Sequence, residues 1–286
     1  MERFFVLGFV VVLAASSLAA PVNKNFNTDF AVTWSPDHVN TLLGGSALQL
    51  RLDNSSGSGF ASKGQFLFGK ISMDMKLVPG DSAGTVTAYY LTSGQTPNRD
   101  ELDFEFLGNV SGEPYILQTN IYSNGVGARE QRIFLWFDPT TSFHSYSVLW
   151  NQHQIVFLVD EIPIRVFRNN EAKGVAFPSK QSMGAFSSIW NGDQWATRGG
   201  VVKIDWSKAP FVASYRNFAV DACESGKVEA CSAMAGSAWW NQERYRSLNR
   251  NQRHRLKWVQ KNYMVYNYCI DTSRYPTPPA ECKDAF

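Results

Sequence analysis

Cysteine is scarce in this chain and comes late: Cys223, Cys231, Cys269 and Cys282 are the four, all in the last quarter of 286 residues. Neither a Cys-x-x-Cys spacing nor histidine partners accompany them, which argues against a zinc site. An excess of charge of one sign is missing too. Formal net charge is +2, so composition offers no case for nucleic acid or an acidic membrane as partner, and a neutral polymer fits at least as well. Long apolar runs are absent beyond the N-terminus. There, in MERFFVLGFVVVLAASSLAAPVNKNF, the run from Phe4 to about Ala15 is shorter than the roughly 20 residues a membrane-spanning helix needs. One Arg precedes it and small residues follow it up to Ala20. This is the pattern of a secretory signal peptide, expected over residues 1–20 with cleavage near Ala20.

A secreted chain oxidises its cysteines. Four cysteines allow three pairings; the nearest-neighbour one, Cys223–Cys231 with Cys269–Cys282, closes two small loops and is the expected one. Secretion also makes the two Asn-x-Ser sequons relevant, Asn54 in NSS and Asn109 in NVS; each is a candidate glycan acceptor. Aromatic residues are plentiful at 14%, with 20 Phe, 11 Tyr and 9 Trp. β-sheets favour such side chains, and so do sites that stack on ring-shaped ligands. Composition alone does not separate the two.

From Pro21 to Asn217 short apolar runs alternate with Gly, Asn, Asp, Ser and Pro. GQFLFGKISMDMKLV, GTVTAYYLTS, HSYSVLWNQHQIVFLVDEIPIRVF and GVVKIDWS show period-two alternation or β-branched enrichment and predict strands. Asp160–Glu161 lies between two of these runs and predicts a tight hairpin. Many strands without helical crossovers point to an all-β fold, a sandwich of two antiparallel sheets over residues 21–217. Residues 218–286 differ. SAWWNQERYRSLNRNQRHRLKWVQKNYMVYNY is rich in helix formers, and Leu248, Gln252, Leu256, Val259 and Tyr263 recur at helical spacing, predicting a helix around Asn241 to Lys261. Its other faces carry Arg244, Arg246, Arg250, Arg253, Arg255, Lys257 and Lys261. A nucleic-acid helix and a solvated amphipathic helix both fit; the balanced charge elsewhere favours the second.

NRDELDFEFLGNVSG, residues 98–112, carries the chemistry. Strand alternation points Glu101, Asp103 and Glu105 one way and Leu102, Phe104 and Phe106 the other, into a core. Like charges side by side destabilise a sheet, so such a row implies a use. Glycoside hydrolysis needs two carboxyls flanking one bond, about 5–5.5 Å apart in retaining enzymes and 6.5–9.5 Å in inverting ones. The Cα atoms of Glu101 and Glu105 are roughly 13 Å apart at strand rise, and inward-leaning side chains reach either separation. Spacing therefore leaves the stereochemistry open. A central carboxylate disfavours ionisation of its neighbours, which helps one Glu stay protonated while the other stays ionised. A calcium site and a plain acidic strand are the competing readings; calcium loops place their oxygens on a Gly-containing turn rather than on a strand with buried Phe.

DELDFEFLGN closely resembles the active-site signature of plant xyloglucan endotransglucosylase/hydrolases of glycoside hydrolase family 16, roughly His-Asp-Glu-Ile-Asp-Phe-Glu-Phe-Leu-Gly-Asn. Arg99 stands in place of the His and Leu102 in place of the Ile. The resemblance extends over KLVPGDSAGTVTAYYL, ILQTNIY, REQRIFLWFDPT, YSVLW, VFLVDEIPIRVF, WNGDQWATRGG, DWSKAPFVASY and the tail ending YPTPPAEC. It implies a β-jelly roll whose C-terminal extension lengthens the acceptor side of a cleft. It implies that Glu101 is the nucleophile, Glu105 the acid/base and Asp103 the helper, with glycan on Asn109. By matching segments it implies substrate contacts from Tyr90, Glu105, Gln118, Thr119, Asn120, Arg129, Glu130, Arg132, Trp190, Trp195, Ala196, Gly200 and Arg274. The loop SGQTPN after Tyr90 is one residue longer than in the family pattern.

Neither cofactor nor metal is implied. The expected partners are a xyloglucan polymer as donor and a xyloglucan chain or oligosaccharide as acceptor, handled by a monomer, without nucleic acid or membrane, in the cell wall and apoplast. The hydrolase-leaning branch of the family has a longer loop after the Gln-Thr-Asn strand. NIYSNGVGARE is short here, which resembles the transferase majority. An endohydrolase acting on xyloglucan or another β-glucan and a non-catalytic glycan-binding module are the alternatives.

Overall fold

The computed structural model describes residues 22–224, 228–234 and 236–284; the expected signal peptide lies outside them. The strands are β1 (Val22–Asn23), β2 (Phe30–Trp34), β3 (Val39–Leu42), β4 (Ala47–Leu52), β5 (Ser58–Lys76), β6 (Thr85–Thr92), β7 (Glu101–Leu107) and β8 (Ile116–Tyr122). There follow β9 (Gln131–Phe134), β10 (His144–Trp150), β11 (Gln154–Val159), β12 (Ile162–Arg168), β13 (Met183–Asn191), β14 (Phe211–Cys223) and β15 (Met264–Asn267).

These strands form the expected antiparallel sandwich. One sheet runs β2-β5-β13-β6-β7-β8-β9-β15 and carries β7 near its middle. The other runs β12-β11-β10-β5-β14-β4-β3, with β1 also on β14. β5 belongs to both. Its residues 58–66 pair with β13, and residues 69–75 with β10. The change of sheet falls where Phe68 and Gly69 take φ of +63° and +120°. Gly tolerates that conformation freely; Phe68 is held in it by burial against Trp150, ring centroids 5.2 Å apart.

Alternation in β7 fills the space between the sheets. Phe104 meets Tyr146 and Phe157 of the second sheet at 6.1 and 5.1 Å, and Phe106 meets Tyr146 at 4.7 Å, all edge-on. Such pairs add about 0.5–1.5 kcal/mol each beyond their buried area. The strand that displays the carboxylates is thus anchored by the residues between them. The Asp160–Glu161 hairpin is present, both residues at positive φ as a tight two-residue turn requires.

The C-terminal region departs from expectation in its helix. The predicted span of 241–261 is broken: Trp239–Asn241 and Glu243–Tyr245 are separate 3-10 turns, and α2 is Arg250–Asn262. Gln242 between the turns is extended, and Asn249 caps α2 by a reciprocal box with Gln252. A short helix, α1 (Val228–Met234), was not anticipated. It is tied to the end of β14 by Cys223–Cys231, and Cys269–Cys282 closes the tail, the nearest-neighbour pairing in both cases. β14 runs through the expected domain boundary at 217/218. Among the described residues, no helix is long and apolar enough to cross a membrane.

Candidate active site

Register across the first sheet determines what surrounds the triplet. Glu101 lies opposite Tyr122, Asp103 opposite Asn120, and Glu105 opposite Gln118 on β8; on β6, Asp103 faces Tyr90 and Glu105 faces Ala88. Paired residues project to the same face, so the three carboxylates look out over an open surface with these neighbours beside them.

Two hollows lie on that face and meet at Glu105. One, of about 260 Å³, is lined by Tyr90, Gln95, Arg99, Glu101, Asp103, Ser188 and Trp190 among others. The other, of about 540 Å³, is lined by Gln118, Glu130, Arg132, Trp195, Tyr266, Asp271 and Arg274. Glu105, Asn120 and Tyr122 border both. A third hollow of about 310 Å³ surrounds Asn109 and contains none of the triplet.

The carboxylates differ in their surroundings. Arg99 Nε donates to Glu101 Oε2 at 3.1 Å while its guanidinium lies over the Tyr122 ring at 4.4 Å. Glu101 thus has a fixed cationic partner. Asp103 is buried, and burial followed by the charges of Glu101 and Glu105 pushes its carboxyl well above the usual range. Burial also raises Glu105, opposed by a hydrogen bond from Gln118 Nε2 to Oε2 at 2.5 Å. Arg132 Nε in turn donates to Gln118 Oε1 at 2.6 Å, so a relay from β9 holds the Glu105 carboxyl in place. Tyr90, stacked on Phe186 at 5.4 Å, has its phenol pushed up to about 12, first by burial and then by Glu101 and Asp103. A carboxylate paired with a cation beside one that burial pushes toward its protonated form is the arrangement that general-acid glycoside cleavage requires.

Two expected outcomes follow. Gln118→Leu removes a hydrogen bond that favours ionised Glu105. The carboxyl should then keep its proton to higher pH, and the basic limb of the kcat/KM profile should move up by roughly 0.5–1 unit; an unmoved limb breaks the link between Gln118 and the acid. The second concerns stability. An unfolded Asp titrates near pH 3.9, and folded Asp103 holds its proton to higher pH. Below the unfolded value this costs nothing; as pH rises toward the folded value, stability is lost. Asp103→Asn should therefore raise the unfolding temperature by a few degrees at pH 7, with a gain that shrinks toward pH 4, while turnover falls.

Of the expected contacts, Tyr90, Gln118, Asn120, Glu130, Arg132, Trp190, Trp195 and Arg274 line the two hollows. Arg274 Nη1 donates to Glu130 Oε2 at 2.6 Å, pinning the tail to the cleft wall. Four others do not open onto it. Thr119 alternates to the inner side, where its carbonyl and hydroxyl accept from Arg165 Nη1 at 2.9 and 3.0 Å. Arg129 is buried behind the wall, its Nε donating to Glu281 at 2.7 Å. Ala196 is buried with Val86 and Leu107 beneath Trp190 and Trp195. Gly200 has φ of +86°, and a Cβ there would fall 2.2 Å from the Gln194 carbonyl oxygen; it shapes the Trp195 loop. Of the sequon residues, Asn54 is exposed and Asn109 half-buried, with Nδ2 donating to Pro114 O at 3.1 Å. Gln95, Arg99, Tyr122, Ser188, Tyr266 and Asp271 line the site without having been expected. Period two from Gln118 and Asn120 leads to Tyr122, and from Trp190 to Ser188.

A β-sandwich with an alternating carboxylate row lining one open hollow and ending at the border of a second is the fold and site of a glycosidase that acts on an extended glycan. The profile of glycosyl hydrolases family 16 matches residues 26–208, and that of the xyloglucan endo-transglycosylase (XET) C-terminus matches residues 234–282. Xyloglucan endotransglucosylase protein 34 of Populus tremula x Populus tremuloides is 55% identical over 280 residues, 97% of this chain and 95% of the relative. Probable xyloglucan endotransglucosylase/hydrolase protein 5 of Arabidopsis thaliana is 54% identical over 277 residues, 96% and 94% of the two chains. The chain belongs to glycosyl hydrolase family 16 and, within it, to the xyloglucan endotransglucosylase/hydrolases. Among solved structures, a β-1,3-1,4-glucanase (lichenase) derived from a mouse hindgut metagenome shares the fold, with TM-score 0.56 and 23% identity, covering 71% of this chain and 100% of the other. A Bacillus licheniformis β-glucanase does so with TM-score 0.52 and 24% identity, covering 71% and 91%.

Proposed function

We propose that this chain is a xyloglucan endotransglucosylase with minor hydrolysis, secreted to the plant cell wall to cut and rejoin xyloglucan there. The carrying observation is the acidic row along the floor of one hollow, with its Glu105 end shared with the second. A polymer lying across the strands places one bond at that meeting point and sugar rings to either side. The hollow walled by Tyr266, Asp271 and Arg274 of the C-terminal extension receives the acceptor; the one walled by Tyr90 and Trp190 holds the donor.

Glu101 attacks the anomeric carbon as Glu105 gives its proton to the departing glycosidic oxygen. The C–O bond breaks, and an ester forms on Glu101. Asp103, beside both, holds its proton above the usual range and limits charge build-up in the row. Glu105, now ionised, takes the proton of the incoming hydroxyl, which attacks the same carbon and releases Glu101. Water gives hydrolysis and a sugar hydroxyl gives transfer. A bound acceptor wins through its effective molarity. The loop after β8 is a tight one, closed by the Ser123–Val126 bridge, and none of residues 123–129 is among those lining the acceptor hollow.

The test is xyloglucan incubated with and without labelled xyloglucan oligosaccharide. Label should enter the polymer, and product size should depend on the added acceptor. Polymer size falling at one rate in both sinks transfer in favour of hydrolysis.

A further inference from the structure

Trp34 is one of the large apolar side chains left exposed, at 41%. It ends β2, the edge strand of the sheet that carries the triplet. Edge strands are normally blunted by charge or proline rather than by a bare indole. Among the described residues its ring stacks on no other aromatic and its Nε1 donates no hydrogen bond, whereas Trp150 Nε1 donates to Pro178 O at 2.8 Å and Trp239 Nε1 to Asp221 at 2.8 Å.

Its position is defined by Gly59. Trp34 pairs with Gly59, Gly59 with Ser188, Ser188 with Ala88, and Ala88 with Glu105. One transverse row therefore leads from the acid/base to the indole, on the side away from the C-terminal extension. A Cβ built on Gly59 would fall 2.3 Å from Trp34 Cζ3, so the indole lies over Gly59 on the open face. Gly within a strand costs stability and commonly marks a close approach. Here the close approach is that of the exposed ring. Between ring and triplet the floor is small side chains, Ala88 and Ser188, with Tyr90 and Phe186 stacked alongside. The result is a trough four strand steps long, roughly 19 Å at 4.8 Å spacing, ending in an aromatic face.

We propose that Trp34 is a distal donor subsite, stacking on a backbone sugar ring several units from the cleaved bond and setting a preference for long donors. This rests on the reading of the cleft as a glycan-transfer site. Stacking there binds ground and transition states alike, so it acts on KM and leaves kcat alone.

The experiment measures transfer from xyloglucan oligosaccharide donors of increasing backbone length to one labelled acceptor. In Trp34→Ala, KM for long donors should rise roughly three- to tenfold, with a loss that shrinks for donors too short to reach the indole. Trp34→Phe should recover most of the affinity. Gly59→Ala, which keeps Trp34 but displaces its ring, should reproduce the length-dependent defect and serves if Trp34→Ala fails to fold. A loss equal at every donor length, or no loss at any, overturns the subsite. Wild-type protein inactive on every donor would overturn the functional reading instead.

Discussion

Glu101→Ala is expected to lower transfer and hydrolysis together, on the order of 10⁴-fold, without loss of the fold. The backbone of β7 is held by Leu102, Phe104 and Phe106 in the core, and truncating an outward side chain leaves those contacts intact. The substitution removes the carboxylate proposed to form the ester. Arg99 then loses its carboxylate partner, leaving a cation beside a gap the size of the deleted carboxymethyl group. A small anion such as azide should enter that gap, attack the anomeric carbon directly and restore turnover in part, while Glu105 still protonates the leaving oxygen. One displacement in place of two inverts configuration, so the product should be the α-glycosyl azide. The checks are initial rates with and without azide and the anomeric configuration of the product by NMR. A β-product, or wild-type rates in the variant, would falsify the assignment of Glu101 as nucleophile.

Much of this geometry is legible in the sequence because strands repeat every two residues. DELDFEF alone separates the carboxylate face from the Phe face. The same rule extended along ILQTNIY puts Gln118, Asn120 and Tyr122 outward and Thr119 inward. A contact set taken from matching segments includes Thr119 only because segments do not distinguish faces. The tail is harder to read. Helix-forming composition runs on from Asn241, but Asn249 followed by Gln252 is a capping pair that starts the helix later. Other features are invisible because they join distant residues. Arg165 reaches Thr119 across the sandwich, and Trp34 covers Gly59 from a neighbouring strand. No local pattern in FAVTW separates an exposed platform from an ordinary edge residue. Stereochemistry lies in the same category: strand rise leaves Glu101 and Glu105 within reach of both glycosidase geometries.

Glu105→Ala should divide the reaction into its halves. On xyloglucan, whose leaving oxygen needs a proton, activity should fall roughly 10²–10⁴-fold. The basic limb of the pH profile should vanish with it, since that limb reports ionisation of the buried Glu105 carboxyl. A donor carrying a leaving group that departs without a proton, such as a β-glycosyl fluoride, removes the need for an acid in the first step. Glu101 then forms its ester at a useful rate, but no base remains to activate an acceptor hydroxyl. The ester should accumulate, seen as a burst of fluoride and as a protein mass raised by one glycosyl unit on the peptide containing Glu101. Azide needs no base, so adding it should discharge the ester and yield the β-glycosyl azide, opposite in configuration to the product from Glu101→Ala. Absence of both burst and adduct would remove Glu105 from the second step and reassign the base to another group at the junction of the two hollows. The pair of configurations bears directly on transfer: only an ester that outlives departure of the first product gives an acceptor in the adjoining hollow time to bind.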